Sequence, residues 1–177
     1  PLFYTGIERN AQAAQQVRRY LHGANRVCKI ASADETELPD ESASVVYGEA
    51  MLTMQTQENK QRIVCEAARI LESGGRYGIH ELCLMPDSID HTTKAEVEQA
   101  LSRSIKVGAR PLTVAEWTHL LESNGFTVES RQSAPMHLLN FRRFIRDEGL
   151  FRSLTFLWNL LTQPAARKRV LEMRKVF

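Results

Sequence analysis

Cysteine is scarce in this 177-residue chain: the three present, Cys28, Cys65 and Cys83, have neither close pairing nor metal-ligand spacing. An odd, scattered set argues against the disulfide framework of a small secreted domain and for a reducing, cytoplasmic setting. Long apolar runs are missing as well. The longest, residues 154–161, is broken by Thr155 and Asn159 and falls far below the roughly 20 apolar residues that cross a bilayer. No charged start with an apolar stretch and a small-residue cleavage site is visible, so a soluble protein is expected. Two kinds of chemistry also lack their usual signatures. There is no Gly-x-Ser-x-Gly elbow and no cysteine with a positioned histidine, which sets covalent hydrolysis aside. His22, His91, His119 and His137 show no metal-pair spacing, and no metal is expected.

What is present is ordinary in bulk and uneven in layout. Apolar residues make up 43% and charged residues 25%, near the averages of soluble globular proteins, and the length suits one hydrophobic core. The net charge of +2 conceals two regions: residues 1–140 carry 14 Lys/Arg against 18 Asp/Glu, whereas residues 141–177 carry 9 against 3. This predicts an α/β domain over 1–140 and a basic amphipathic helical tail over 141–177, packed on the same domain. In the tail Pro164 suits a first helical turn, and Ala166, Val170, Met173 and Phe177 share a face. Such a tail is a candidate for peripheral contact with an anionic membrane, an anionic substrate or nucleic acid; a solvated helix face is the plainer reading.

Strand-like and helix-like patterns alternate along the first 130 residues, the mark of a mostly parallel sheet with helices on both faces. Strands are expected over 2–8, 26–31, 44–49, 76–82 and 126–130. A helix is expected over 11–22 with Ala14, Val17 and Leu21 on its apolar face, and a second over 57–71 with Ile63, Ala67 and Ile70 beside Val64, Ala68 and Leu71. A third, near 93–105, belongs to an insertion capping the sheet edge. Thr113 and Glu116 form a capping box opening a fourth, with Val114, Trp117, Leu120 and Leu121 inward. Gly74 and Gly75 are expected to end the second helix, and Asn124 with Gly125 the last.

The most informative order lies in residues 30–82. Ala33, Asp34 and Glu35 follow one strand; Leu38, Pro39 and Asp40 come next, then a strand ending in Tyr47, Gly48 and Glu49, a helix, and Leu71-Glu72-Ser73-Gly74-Gly75-Arg76. With Glu8 at the tip of the preceding strand, this order resembles the class I S-adenosylmethionine-dependent methyltransferases, small-molecule branch, of ubiquinone and sterol methyltransferase type, over residues 2–130. The resemblance implies a Rossmann-like fold, S-adenosylmethionine as cofactor and S-adenosylhomocysteine as product.

In open parallel sheets ligands bind beyond the carboxyl ends of the strands. The resemblance implies that Glu8 accepts hydrogen bonds from ribose hydroxyls with Arg9 and Asn10 beside the adenosine. It further implies that Asp34 accepts the adenine amino group between Ala33 and Glu35, and that Glu49 and Ala50 lie where donor and acceptor meet. Read without it, Glu8 is a surface glutamate at a helix start, the 34–37 run a polar loop, and Glu49 a strand-end carboxylate paired with an arginine. His80, which ends the fourth strand beside Glu81, is the candidate base for an acceptor hydroxyl, with Glu49 the second catalytic candidate. A hydrogen-bonded structural histidine is the alternative. The Asn/Asp-Pro-Pro-Tyr/Phe run of enzymes that methylate nucleic-acid bases is absent after the third strand, which counts against that substrate class, and the greasy, basic tail with Phe151, Phe156, Leu157 and Trp158 would suit a small-molecule acceptor of lipid-like, quinone-like or natural-product type.

The same resemblance carries a departure. The family's glycine-rich loop, an acidic residue followed by Gly-x-Gly after the central strand, should precede Leu2 and does not appear. A sheet without its central strand has two unpaired edges, so upstream residues on the order of one strand and flanking helices are expected in the natural protein, and Pro1 in place of an initiator methionine points the same way. Two other readings stay open: a nicotinamide dinucleotide-dependent oxidoreductase, which shares an acidic strand tip near a ribose, and a non-catalytic methyltransferase-like binding subunit.

Overall fold

Two parallel strand pairs carry the candidate residues at their carboxyl ends. Strand β1 (Tyr4–Glu8) pairs with β2 (Arg26–Ile30), placing Glu8 opposite Ile30. Parallel neighbours need a crossover, and here it is α1 (Ala11–Arg18), started by Asn10, whose side chain accepts from the backbone N–H groups of Gln12 and Ala13. The helix buries Ala14 completely, and Arg18 reaches across to the Cys28 carbonyl at 2.8 Å and 3.0 Å. It stops four residues before the expected end. Val17 is already 38% exposed and Tyr20 80% exposed, so the predicted apolar row has little to pack against beyond Ala14.

Strand β3 (Ala43–Glu49) pairs with β4 (Leu71–His80) through α2 (Gln57–Ile70), again in parallel, with Glu49 opposite His80. Thr56 caps α2 by accepting from Asn59 N–H. The expectation that Gly74 and Gly75 end this helix is corrected: α2 closes at Ile70, Leu71 is already extended, and the glycines lie in an irregularity of β4 where the register shifts between Ala43 and Val45. Gly74 has φ +78°, and a side chain on Gly75 would meet the Glu72 carbonyl at 2.8 Å. The glycines therefore let the chain swing from helix into strand within a few residues.

Two short strands, β5 (Cys83–Leu84) and β6 (Leu112–Thr113), form a third parallel pair around α3 (His91–Ile105). Then α4 (Val114–Glu122) opens on the expected capping box, with the Thr113 hydroxyl accepting from Glu116 N–H and the Glu116 carboxylate accepting from Thr113 N–H. The core is built from Leu52, Ile63, Val64, Leu112, Trp117 and Leu120, with Tyr77, Ile79, Leu121 and Phe126 packed against it. The expected strand over 126–130 does not form: Phe126 instead sets its ring 5.3 Å from that of Tyr77, and no described strand offers its neighbours a ladder. The computed structural model describes residues 2–135; the predicted helices of 141–177 lie outside the described residues. Among those described, no helix is long and apolar enough to cross a membrane.

Candidate functional site

The first corner of the site forms where β1 and β2 end. Ala31 N–H donates to the Glu8 carbonyl at 3.3 Å, tying the two exits together. The half-buried Glu8 side chain accepts from Asn10 N–H through Oε1 at 2.7 Å, so it supports the start of α1 while Oε2 accepts from none of the described residues. Asn10 itself is committed to capping α1. Asp34 sits in a turn closed by Glu35 N–H donating to the Ser32 carbonyl at 3.1 Å. Its carboxylate accepts from the Ser32 hydroxyl and pairs with Arg62 at 2.6 Å. The Ser32 hydrogen bond, with the charges of Arg62 and Arg9 adding to it, holds this carboxyl below the usual range despite partial burial. The parallel pairing, with Glu8 opposite Ile30, brings the exits of β1 and β2 into one neighbourhood. Ala33 turns inward onto the core, and Glu35 is exposed.

The second corner forms where β3 and β4 end. Glu49 Oε1 lies 3.2 Å from His80 Nδ1, and Oε2 accepts from the Tyr47 hydroxyl at 3.3 Å. Desolvation first, and the Glu49 charge with its hydrogen bond second, push the Tyr47 hydroxyl above its ordinary value. Glu49 and His80 are open to solvent, 60% and 74% exposed at their side chains. The two catalytic candidates are thus brought together, with histidine and tyrosine in place of the arginine partner that a purely structural glutamate would take. Ala50 follows with φ +50°, a left-handed conformation that costs a non-glycine residue roughly 1–2 kcal/mol. Its N–H donates to the His80 carbonyl at 2.8 Å.

Among the described residues no hydrogen bond or ion pair joins the two corners directly. Helix α2, the crossover between β3 and β4, instead clamps the loop that leaves the first corner. Arg62 holds Asp34; Glu66 accepts from the Thr36 N–H at 2.8 Å and from its hydroxyl at 2.5 Å; Arg69 grips Glu66 at 2.7 Å and 2.8 Å, the Leu38 carbonyl at 2.8 Å, and Asp40. The bidentate Arg69 contact, then the Thr36 hydrogen bonds, lower the Glu66 carboxyl to about 2 against its partial burial. These three clamps were not singled out from the sequence. Their signal was there, as charged residues at 62, 66 and 69, spaced to share one helical row beside the apolar ones.

Lys60 was missed for a different reason: nothing local marks a lysine as buried. It is 1% exposed, donates to the carbonyls of Arg110 at 2.6 Å and Gln55 at 3.2 Å, and lies 5.7 Å from the Trp117 ring. Desolvation lowers it to about 8. A shallow depression along α3, lined by His91, Thr92, Ala95, Glu96 and Gln99, contains none of the site residues.

Residues 2–79 match the methyltransferase domain family. An uncharacterized protein of Haemophilus influenzae is 30% identical over 173 residues, covering 97% of this chain and 66% of its own length. Among solved structures, a candidate sarcosine dimethylglycine methyltransferase from Galdieria sulphuraria superposes with a TM-score of 0.69 at 16% identity, over 97% of this chain and 61% of that one. An S-adenosylmethionine-dependent methyltransferase from Methanosarcina mazei gives 0.61 at 16% identity, over 76% of this chain and 74% of that one. The chain thus spans less than two thirds of the Haemophilus and Galdieria proteins. The expected Rossmann-like α/β fold is the fold of these neighbours, and residues 2–79 of the chain are similar to the methyltransferase domain family.

Proposed function

We propose that the protein transfers a methyl group from S-adenosylmethionine to a small-molecule acceptor, with the adenosine held at the β1–β2 corner and the transfer taking place at the β3–β4 corner. The observation that carries this reading is the pairing of β1 with β2, which sets Glu8 and the turn bearing Asp34 beyond the ends of two neighbouring parallel strands. The residues suit the nucleoside. Glu8 retains an oxygen able to accept from ribose hydroxyls, and each Asp34 oxygen, although engaged, has a second lone pair for the adenine amino group. Ala33 and Glu35 frame the base, Arg9 lies at the same corner, and Glu49 and Ala50 border the reacting end.

Bound there, the cofactor supplies a methyl group activated on a sulfonium, ready for direct in-line displacement. The chain's own work is positional and protic. Holding the two reactants at fixed orientation removes much of the entropic barrier. His80, backed by Glu49 at Nδ1, is placed to take the acceptor's proton through its other ring nitrogen, with Glu49 stabilising the imidazolium that results. The acceptor we favour is a lipid-like, quinone-like or natural-product molecule, consistent with the ubiquinone and sterol branch that the motif order resembles, and the basic residues of 141–177 suit peripheral contact with an anionic membrane where such acceptors reside. The family match favours the methyl donor over the dinucleotide reading.

Isothermal titration with S-adenosylhomocysteine tests the proposal. Glu8→Ala and Asp34→Ala should each weaken binding by about tenfold or more, the scale of about 1.4 kcal/mol expected for a lost charge-assisted hydrogen bond. Undiminished affinity in both variants would remove these assignments.

A further inference from the structure

The turn between Glu49 and Gln55 carries a concentration of backbone constraint that its own sequence does not explain. Ala50 is left-handed, and Met51, Leu52 and Thr53 then direct three consecutive backbone N–H groups toward one point. Successive N–H groups converging in this way form a nest suited to an anion. The anion is internal. Glu81 Oε1 accepts from Met51 N–H at 2.9 Å and Leu52 N–H at 2.7 Å, and Oε2 accepts from Thr53 N–H at 2.9 Å and the Thr53 hydroxyl at 2.7 Å. Leu82 N–H donates back to that hydroxyl at 3.3 Å.

The clamp is anchored from behind. Arg110 N–H donates to the Thr53 carbonyl at 2.7 Å, the Arg110 carbonyl accepts from Lys60, and Trp117 Nε1–H donates to the Leu82 carbonyl at 3.0 Å. Residues from β4's exit, α2, α4 and the approach to β6 therefore converge on a turn of a few residues. Leu52 and Thr53 are buried, yet Glu49, immediately before the turn, is left open to solvent beside His80. Stability of the core alone would not require so many partners at this one turn.

We infer that Glu81 is a positioning residue of the methyl-transfer corner: by filling the Met51–Thr53 nest it holds Ala50 left-handed and so fixes the direction in which the Glu49 carboxylate leaves β3. The inference rests on the proposed donor site, of which Glu49 and Ala50 are part. Glutamine cannot replace Glu81, because its amide would turn N–H donors toward N–H donors at one end of the nest.

The test uses the full chain with Glu81→Gln, read by amide hydrogen exchange and by S-adenosylhomocysteine titration. Exchange at Met51, Leu52 and Thr53 should accelerate tenfold or more, with Val46 and Tyr77 in the β3–β4 ladder unchanged, and affinity should fall several-fold. Unchanged protection at the three turn amides, equal loss at Val46 and Tyr77, or wild-type affinity in the variant would overturn the role. If Glu81→Gln does not fold, Thr53→Val, which deletes only the hydroxyl from the clamp, must show the same changes on a smaller scale; silence there overturns it equally. Absence of binding by the unsubstituted protein is a separate outcome: it removes the methyl-donor reading, and the positioning role falls with it whatever the exchange rates.

Discussion

At the scale of single residues, carboxylates divide by what surrounds them. Glu49 stands in solvent beside His80, whereas Glu66 is buried in a bidentate contact with Arg69 and two hydrogen bonds from Thr36. Only the second arrangement stores much stability. Glu66 sits at about 2 in the folded state against an ordinary value of 4.5, so the folded state keeps its carboxylate ionised where the unfolded chain would protonate it. Its contribution is complete above pH 4.5 and is lost as the pH falls toward 2, on the order of 3 kcal/mol by linkage. Glu66→Gln should therefore destabilise the protein by that order at pH 7 in urea unfolding, with the difference from wild type closing as the pH approaches 2. A difference independent of pH would show that the ionised form is not what matters.

At the scale of elements, the sequence was legible where the chain makes its own signals. The capping box of Thr113 and Glu116, the apolar rows of α2 and the β3 strand appear as read, because hydrogen bonds and periodicities within a few residues decide them. It was not legible where a distant partner decides. The 126–130 segment has strand-like composition, but a strand exists only with a neighbour, and Phe126 finds a better one in the Tyr77 ring. Lys60 is silent in sequence for the same reason, its partner lying 50 residues away, whereas Glu81 is legible only as the strand-end neighbour of His80 and not as the anchor of the Met51–Thr53 turn. The glycines of β4 were recognised as a break and assigned to the wrong side of it. Their two roles separate by substitution. Gly74→Ala meets open space but must hold φ +78°, costing about 1 kcal/mol, whereas Gly75→Ala drives a methyl against the Glu72 carbonyl, the Leu71 side chain and the Ser44 carbonyl, costing about 2–3 kcal/mol. Chemical unfolding of both variants measures this, and a reversal of the order would mean that backbone strain, not the close approach to β3, governs the bend.

At the scale of the whole molecule, the two site corners belong to different strand pairs, β1–β2 and β3–β4, and the row of Arg62, Glu66 and Arg69 ties α2, the crossover of the second pair, to the loop over 31–42 that leaves the first. Much apolar surface on both pairs stays in contact with solvent, including Val27, Val45 and Tyr47 at 52%, 64% and 62% exposure. A ligand touching both corners would link them directly. A nucleoside held at Glu8 and Asp34 as proposed, with its amino-acid end at Glu49 and Ala50, would be such a ligand. Saturating S-adenosylhomocysteine, at about 100 times its dissociation constant, stabilises a single-site protein by about 2.7 kcal/mol, which for a chain of this length raises the melting temperature by roughly 5–10 °C. NADH at the same free concentration, lacking a group shaped for the second corner and so binding more weakly, should give a much smaller shift. Differential scanning fluorimetry of the two ligands decides the matter. An NADH shift equal to or above that of S-adenosylhomocysteine would mean that the β3–β4 corner is not part of the ligand site and that the acidic tips of β1 and β2 serve a dinucleotide.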